Sequence, residues 1–223
     1  MSDYFSIAID GPVGVGKSTT ARMVARKLGF THVDTGAMYR AVAFNLTEKG
    51  VELHDETAIT HAIGDMEVIL DDKQNVYVNG IDVTAKIRTQ AISDSTSVVA
   101  SHKQVRSKLV DLQRQMAKNQ NVVMDGRDIG SNVLPNANIK IYLDAEVDIR
   151  ARRRLEELST KNKTASFDEV RNETLIRDER DMNRKENPLI KTPDAILIDT
   201  GHKTIEEVVA LIVGLACKEL YPL

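Results

Sequence analysis

Residues Gly11, Pro12, Val13, Gly14, Val15, Gly16, Lys17, Ser18 and Thr19 make an unbroken G-x-x-x-x-G-K-S/T motif, and the chemistry of that spacing is the cradling of phosphate. Glycines let successive backbone N–H groups turn inward around phosphate oxygens with no Cβ in the way. A helix that starts at the end of such a loop adds its positive N-terminal end. Lys17 reaches the β and γ phosphates of a nucleoside triphosphate, and the Ser18 hydroxyl is of the type that ligates Mg²⁺. The apolar run Ile7-Ala8-Ile9 precedes the motif and a helix-patterned segment follows it, which is the strand, loop and helix order that the motif needs. GTPases, motors, regulatory switches and small-molecule kinases all use this loop, so other residues must decide what is done with the phosphate.

A second set of polar groups stands after strand-like runs and on helix faces: Thr35, Arg40, Arg106, Arg127, Asp128, Arg177, Asp181 and Arg184. Open α/β sheets bind ligands beyond the carboxyl ends of their strands. Two such sets across one crevice imply phosphoryl transfer between two bound molecules. No N-K-x-D segment is present to select guanine, and 223 residues leave no room for the extra domains of most motors. Two alternatives stay open on the residues alone: a kinase for another small acceptor, such as UMP or shikimate, and a switch that binds ATP without transferring phosphate.

The elements that must position these groups can be read from periodicity. Ala21, Val24, Ala25 and Leu28 share a helical face that Gly29 ends. Phe30 to Val33 suits a strand closed by an Asp34-Thr35-Gly36 turn, and Tyr39, Val42, Ala43 and Leu46 stripe the next helix, with Arg40 beside the stripe. Glu67 to Leu70, Val76 to Val78 and Ile81 to Val83 alternate as short strands around the polar stretch 71–75 and the Asn79-Gly80 turn, an antiparallel insertion. Helical periodicity resumes after Thr89, with Val105, Leu109, Leu112 and Met116 as its seam. Val122 to Met124 leads into Asp125-Gly126-Arg127-Asp128-Ile129-Gly130, and Ile139 to Leu143 is a further strand ended by Asp144.

The following helix turns Val147, Ala151, Leu155 and Leu158 inward and crowds Arg150, Arg152, Arg153 and Arg154 into two turns. Glu156 and Glu157 can pair with some of the four but not all, which leaves two readings, an anionic ligand or a solvated helix face, and the polar residues 159–164 complete what reads as a lid. Ser166-Phe167-Asp168-Glu169 is a capping box. The helix it opens carries Phe167, Val170 and Thr174 and then Arg177, Asp181 and Arg184 on one stripe, and Asn187-Pro188 stops it. Ala195 to Asp199 is a last strand, and Thr204 caps a final amphipathic helix. Five strands buried on both faces, alternating with helices, predict an α/β fold: a five-stranded parallel sheet with helices on both faces.

The formal net charge of −3 argues against a broad nucleic-acid surface. No apolar run has the length of a membrane span, and the N-terminal residues 1–5 lead straight into a strand without a signal pattern, so a cytoplasmic location is expected. The single cysteine, Cys217, excludes an internal disulfide and is expected to be a small buried hydrophobe.

The phosphate loop, Asp34-Thr35-Gly36-Ala37-Met38-Tyr39-Arg40, Ile87-Arg88-Thr89-Gln90 after the insertion, Asp125 to Gly130, and the R-D-x-R-D-x-N-R run from Arg177 to Arg184 occur in one order along essentially the whole chain. Together they closely resemble the bacterial cytidylate kinases. The resemblance implies one P-loop kinase domain over 1–223, a nucleotide-monophosphate-binding insertion at 64–86, and a mobile arginine-rich lid at 150–166. It implies transfer from ATP to CMP or dCMP with Mg²⁺ held through Ser18 and ATP. A monomer is the expectation, though no residue in the sequence decides the oligomeric state. It puts Arg40, Arg127 and Arg184 on the acceptor phosphate, Ser97, Arg106 and Asp128 on cytosine, and Arg177 and Asp181 on the sugar. Thr35 stands where serine is the family's usual residue. Lys17, Arg127, Arg150, Arg154 and Arg184 are the residues expected to gather the charge of the transferred group.

Overall fold

A computed structural model describes residues 4–71, 73–160 and 165–222. The N-terminal residues 1–3, Asp72 of the polar stretch and residues 161–164 of the expected lid lie outside the described residues. In chain order the strands and helices are β1 (Ser6–Asp10), α1 (Lys17–Leu28), β2 (Thr31–Asp34), α2 (Thr35–Glu48), α3 (Glu56–Ile63), β3 (Val68–Leu70), β4 (Val76–Val78), β5 (Ile81–Asp82), α4 (Gln90–Val99), α5 (Lys103–Met116), β6 (Val122–Asp125), β7 (Ile139–Asp144), α6 (Val147–Thr160), α7 (Phe167–Asn183), β8 (Ile196–Asp199) and α8 (Ile205–Leu220). A 3-10 turn at Lys86–Arg88 and a π-helical turn at Ile129–Val133 complete the set.

Five strands pair in the order β2-β6-β1-β7-β8, every pair parallel, and β3, β4 and β5 form a separate antiparallel sheet. Side-chain alternation divides the main sheet's residues between two cores. Ile7, Ile9, Val123, Ile141 and Leu143 pack with α1 and α8. Ala8, Val122 and Met124 pack with α2, α5 and the small sheet. Both faces of the sheet are therefore covered, as parallel strands require.

Several expectations are corrected. The sheet's edge strand β8 is buried at Ile198 alone, with Ile196 and Leu197 exposed, and β7 turns Lys140 and Tyr142 to its second face, so only β1 and β6 send apolar side chains into both cores. Asp34 closes no turn: its carboxylate accepts the Ala37 N–H and caps α2, which starts at Thr35. Residues 90–116 form two helices parted at Ala100-Ser101-His102, a boundary that the helical periodicity after Thr89 did not mark. Helix α3 has no counterpart in the periodicity reading, because it shows only Ile59 and Ile63 to the core. The C-terminal end of α7 comes at Asn183, ahead of Asn187-Pro188, because Arg184 is already extended (φ −63, ψ 142). Cys217 is exposed, not buried.

Candidate active site

The phosphate loop runs from the end of β1 to the start of α1, with Gly14 and Gly16 at φ 79 and 87, a region L side chains avoid. Gly11 is fixed by space as well, since a Cβ there would meet the Leu143 carbonyl oxygen at 2.1 Å. Lys17 is buried, and its Nζ donates to the Pro12 carbonyl at 2.5 Å. Burial, and next the charge of Arg127, hold its ammonium well below the usual lysine range, so an anion beside it would restore the charged form.

Around the loop the protein supplies its own anions. Ser18 Oγ donates to Asp125 Oδ2 at 2.6 Å, and Thr35 Oγ1 donates to the Asp125 carbonyl at 2.7 Å. Asp178 Oδ1 accepts the Val13 N–H at 3.0 Å, and its other oxygen pairs with Arg150. Arg150 in turn donates to the carbonyls of Val13 (3.0 Å) and Ala145 (2.8 Å). Val13 is thus held through its N–H by α7 and through its carbonyl by α6. The four crowded arginines each have a partner: Asp178 for Arg150, the Phe167 ring for Arg152, the Thr200 carbonyl for Arg153, and, for Arg154, Glu157 one turn along the same helix together with Gln90. Incomplete neutralisation by neighbours in sequence therefore did not leave them unpartnered.

From the loop a cavity of about 370 Å³ extends to α4 and α7, lined by nine Lys or Arg side chains against five Asp or Glu among the described residues. That excess suits a polyanionic ligand. On its far side Asp128 bonds Arg106, Arg184 Nη2 (3.0 Å) and Asn132 Nδ2 (3.0 Å). Arg127 Nε donates to Asp181 Oδ2 at 2.6 Å, and Arg40 Nη1 to Ser93 Oγ at 2.6 Å. Ser97 Oγ accepts from Arg180 at 3.3 Å. Burial pushes the Asp181 carboxyl up, but Arg127, Arg177 and Arg184 more than reverse it, leaving it below the usual range. Burial, then Arg127 and Arg40, bring Arg177 down to about 10. Its guanidinium donates no hydrogen bond among the described residues.

The sequence model of the cytidylate kinase family matches residues 7–218. The chain belongs to that family. A cytidylate kinase of Geobacillus thermodenitrificans is 47% identical over 215 residues, covering 95% of this chain and 96% of that protein. One from Shouchella clausii is 44% identical over 218 residues, covering 96% and 97%. Among solved structures, a gluconokinase from Sinorhizobium meliloti 1021 superposes with a TM-score of 0.50 at 12% identity over 99% of this chain and 98% of that one. A Thermus thermophilus protein gives 0.52 at 17% identity over 98% of each. These two share the fold. As a cytidylate kinase family member the chain is an enzyme of the kinase class that takes ATP as phosphoryl donor.

In this family member every expected site residue except Gly11, Pro12 and Val15 lines the cavity, and those three hold the loop behind it. Four residues were given no site role from the sequence. Asp178 is the first aspartate of the R-D-x-R-D-x-N-R run, where contacts were assigned to its neighbours Arg177 and Asp181 and none to it. Asp10 accepts the N–H groups of Ile129 (2.8 Å) and Gly130 (2.7 Å) across 119 and 120 residues, a link no local pattern reports. His32 and Asp34 stand beside Asp125 and looked like ordinary strand and turn residues. Among the described residues no group of three or more His, Cys, Asp or Glu converges as a metal cage, and no helix is long and apolar enough to cross a membrane.

Proposed function

We propose that the protein transfers the γ-phosphoryl group of ATP to CMP or dCMP, releasing ADP and CDP or dCDP. The observation that carries this reading is the single cationic cavity that opens on the phosphate loop at one end and on Asp128, Arg106 and Ser97 at the other. Gly11 to Thr19 take the donor phosphates. Arg40, Arg127 and Arg184 hold the acceptor phosphate, and Arg177 with Asp181 holds the sugar.

Cytosine presents an N4 amino donor beside N3 and O2 acceptors. The Asp128 carboxylate and the Ser97 hydroxyl accept from N4 while Arg106 donates to the acceptors. Uracil has O4 in place of N4, which would set two acceptors against each other and leave buried groups unpaired, the condition that rejects a near-identical substrate. An acceptor phosphate oxygen attacks the γ phosphorus, the bond to the β-bridging oxygen breaks, and the electron pair leaves with ADP. The attacking oxygen is already anionic, so no general base is assigned. Lys17, Arg127, Arg150, Arg154 and Arg184 meet the charge spread over the transferred group.

Mg²⁺, bound together with the donor nucleotide, would neutralise part of that charge. Ser18 and Asp125, with oxygens 2.6 Å apart at the loop, fit an ion that keeps most of its shell on substrate and water and takes one or two protein oxygens. The small sheet at 64–86 is read as the acceptor-side insertion and 150–166 as a lid that excludes water on closing. One chain supplies both halves of the cavity, which supports a monomer, and nucleotide substrates suit a cytoplasmic enzyme. Nucleic acid is not a partner in this reading. The test is ADP release with CMP, dCMP, UMP and AMP as acceptors: turnover should favour the two cytidine nucleotides, and a UMP preference, or ATP binding with no acceptor-dependent release, would overturn it.

A further inference from the structure

His32 is the second residue of β2 and is 8% exposed. In the pairing of β2 with β6 it lies opposite Val123, two residues before Asp125, so strand alternation puts His32 and Asp125 on one face of the sheet. Its Nε2 is 2.7 Å from Asp125 Oδ1. A carboxylate only accepts, so that bond places the ring proton on Nε2. The other ring nitrogen, Nδ1, is buried and has no hydrogen-bond partner among the described residues.

This is a poor arrangement for a histidine kept only for packing, because an apolar side chain of similar volume would bury no orphan nitrogen. What the ring does supply is one N–H at one carboxylate oxygen. Asp125's other oxygen receives the Ser18 hydroxyl at 2.6 Å. A second carboxylate, Asp34, is level with Asp125 in the register and near enough for the two charges to interact. An Asp125 side chain without the Nε2–H would face Asp34 with one oxygen unpaired and be free to rotate away from Ser18.

We propose that His32 is a positioning residue for the phosphoryl transfer: its Nε2–H locks Asp125 so that the second oxygen serves Ser18 and the Mg²⁺ of the donor nucleotide. The inference rests on the function proposed above and deepens its donor half. Outer partners of metal-ligating groups typically set metal affinity by 10- to 100-fold.

The experiment compares His32→Phe, which fills the space without a donor, with His32→Gln, whose amide N–H reaches about as far as Nε2. ATP binding is followed by calorimetry with and without Mg²⁺, beside CMP binding and thermal melting. His32→Phe should raise the Mg²⁺ concentration for half-maximal enhancement of ATP binding by about 10-fold. Metal-free ATP and CMP affinities should stay within about twofold, and His32→Gln should restore the Mg²⁺ response to within about threefold. An unchanged Mg²⁺ response in His32→Phe, or an equal loss for metal-free ATP and CMP, would make the ring a packing residue and overturn the proposal. If His32→Phe fails to fold, His32→Leu takes its place with the same two outcomes. Absence of CMP turnover by the wild type would instead sink the kinase reading, a result distinct from a normal wild type with an unresponsive variant.

Discussion

In the proposed reading Asp128 joins charge balance to base selection, since one buried carboxylate serves Arg106 and Arg184 while lining the cavity. Truncating it leaves two guanidinium groups short of a partner and would remove the proposed acceptor for N4. Asp128→Ala should therefore lower kcat/KM for CMP by about 100-fold or more. UMP makes no bond from O4 to that carboxylate, so its turnover should fall at least about tenfold less. Steady-state kinetics on both acceptors checks this, and equal losses would show that Asp128 does not read the base. Arg177 and Asp181 were legible because the R-D-x-R-D-x-N-R run places them at helical spacing on one stripe, whereas Arg184 in the same run lies past the end of α7. Their partners were not: the bonds Arg127 to Asp181 and Arg184 to Asp128 span 54 and 56 residues, and a helix stripe says which way a side chain points, not what comes to meet it.

Helix α7 connects the phosphate loop to the acceptor side through Asp178 and Asp181, both buried. Asp178→Ala would leave Arg150 buried without its carboxylate and should lower the unfolding free energy by about 3 kcal/mol. Asp148→Ala removes a solvent-exposed pair with Arg171 and should cost under about 1 kcal/mol. Urea denaturation of the two variants measures the difference. Strand β1 ends in Asp10, whose carboxyl burial pushes up to about 6, against the lowering effect of the N–H groups of Gly130 and Ile129. A raised carboxyl favours the folded state when protonated, so this contribution is full below the unfolded value of 3.8 and is lost as pH rises through about 6. The loss should reach about 3 kcal/mol, and Asp10→Asn should abolish that part of the profile. Denaturation of both proteins from about pH 4 to pH 7 reads it as a difference curve.

The parallel sheet was legible because apolar runs recur with helices between them, and the capping boxes at Ser166 and Thr204 marked two helix starts correctly. Two misreadings have a common cause. The exposure of β8 and of Cys217 is decided by which neighbour covers a surface, and a one-dimensional pattern does not contain the neighbour. The cavity itself is such a property, since loop, α2, α4 and α7 each contribute one wall. On the proposed function, donor and acceptor occupy that one continuous space. The most direct measurement is the binding of a bisubstrate analogue in which adenosine and cytidine are joined through five phosphates. The expected Kd is at least about 100-fold below that of ATP or CMP alone, because the second nucleotide arrives already tethered, and a uridine counterpart should lose most of that gain. An analogue that binds no more tightly than ATP, with CMP still able to bind beside it, would contradict the shared cavity and the transfer built on it.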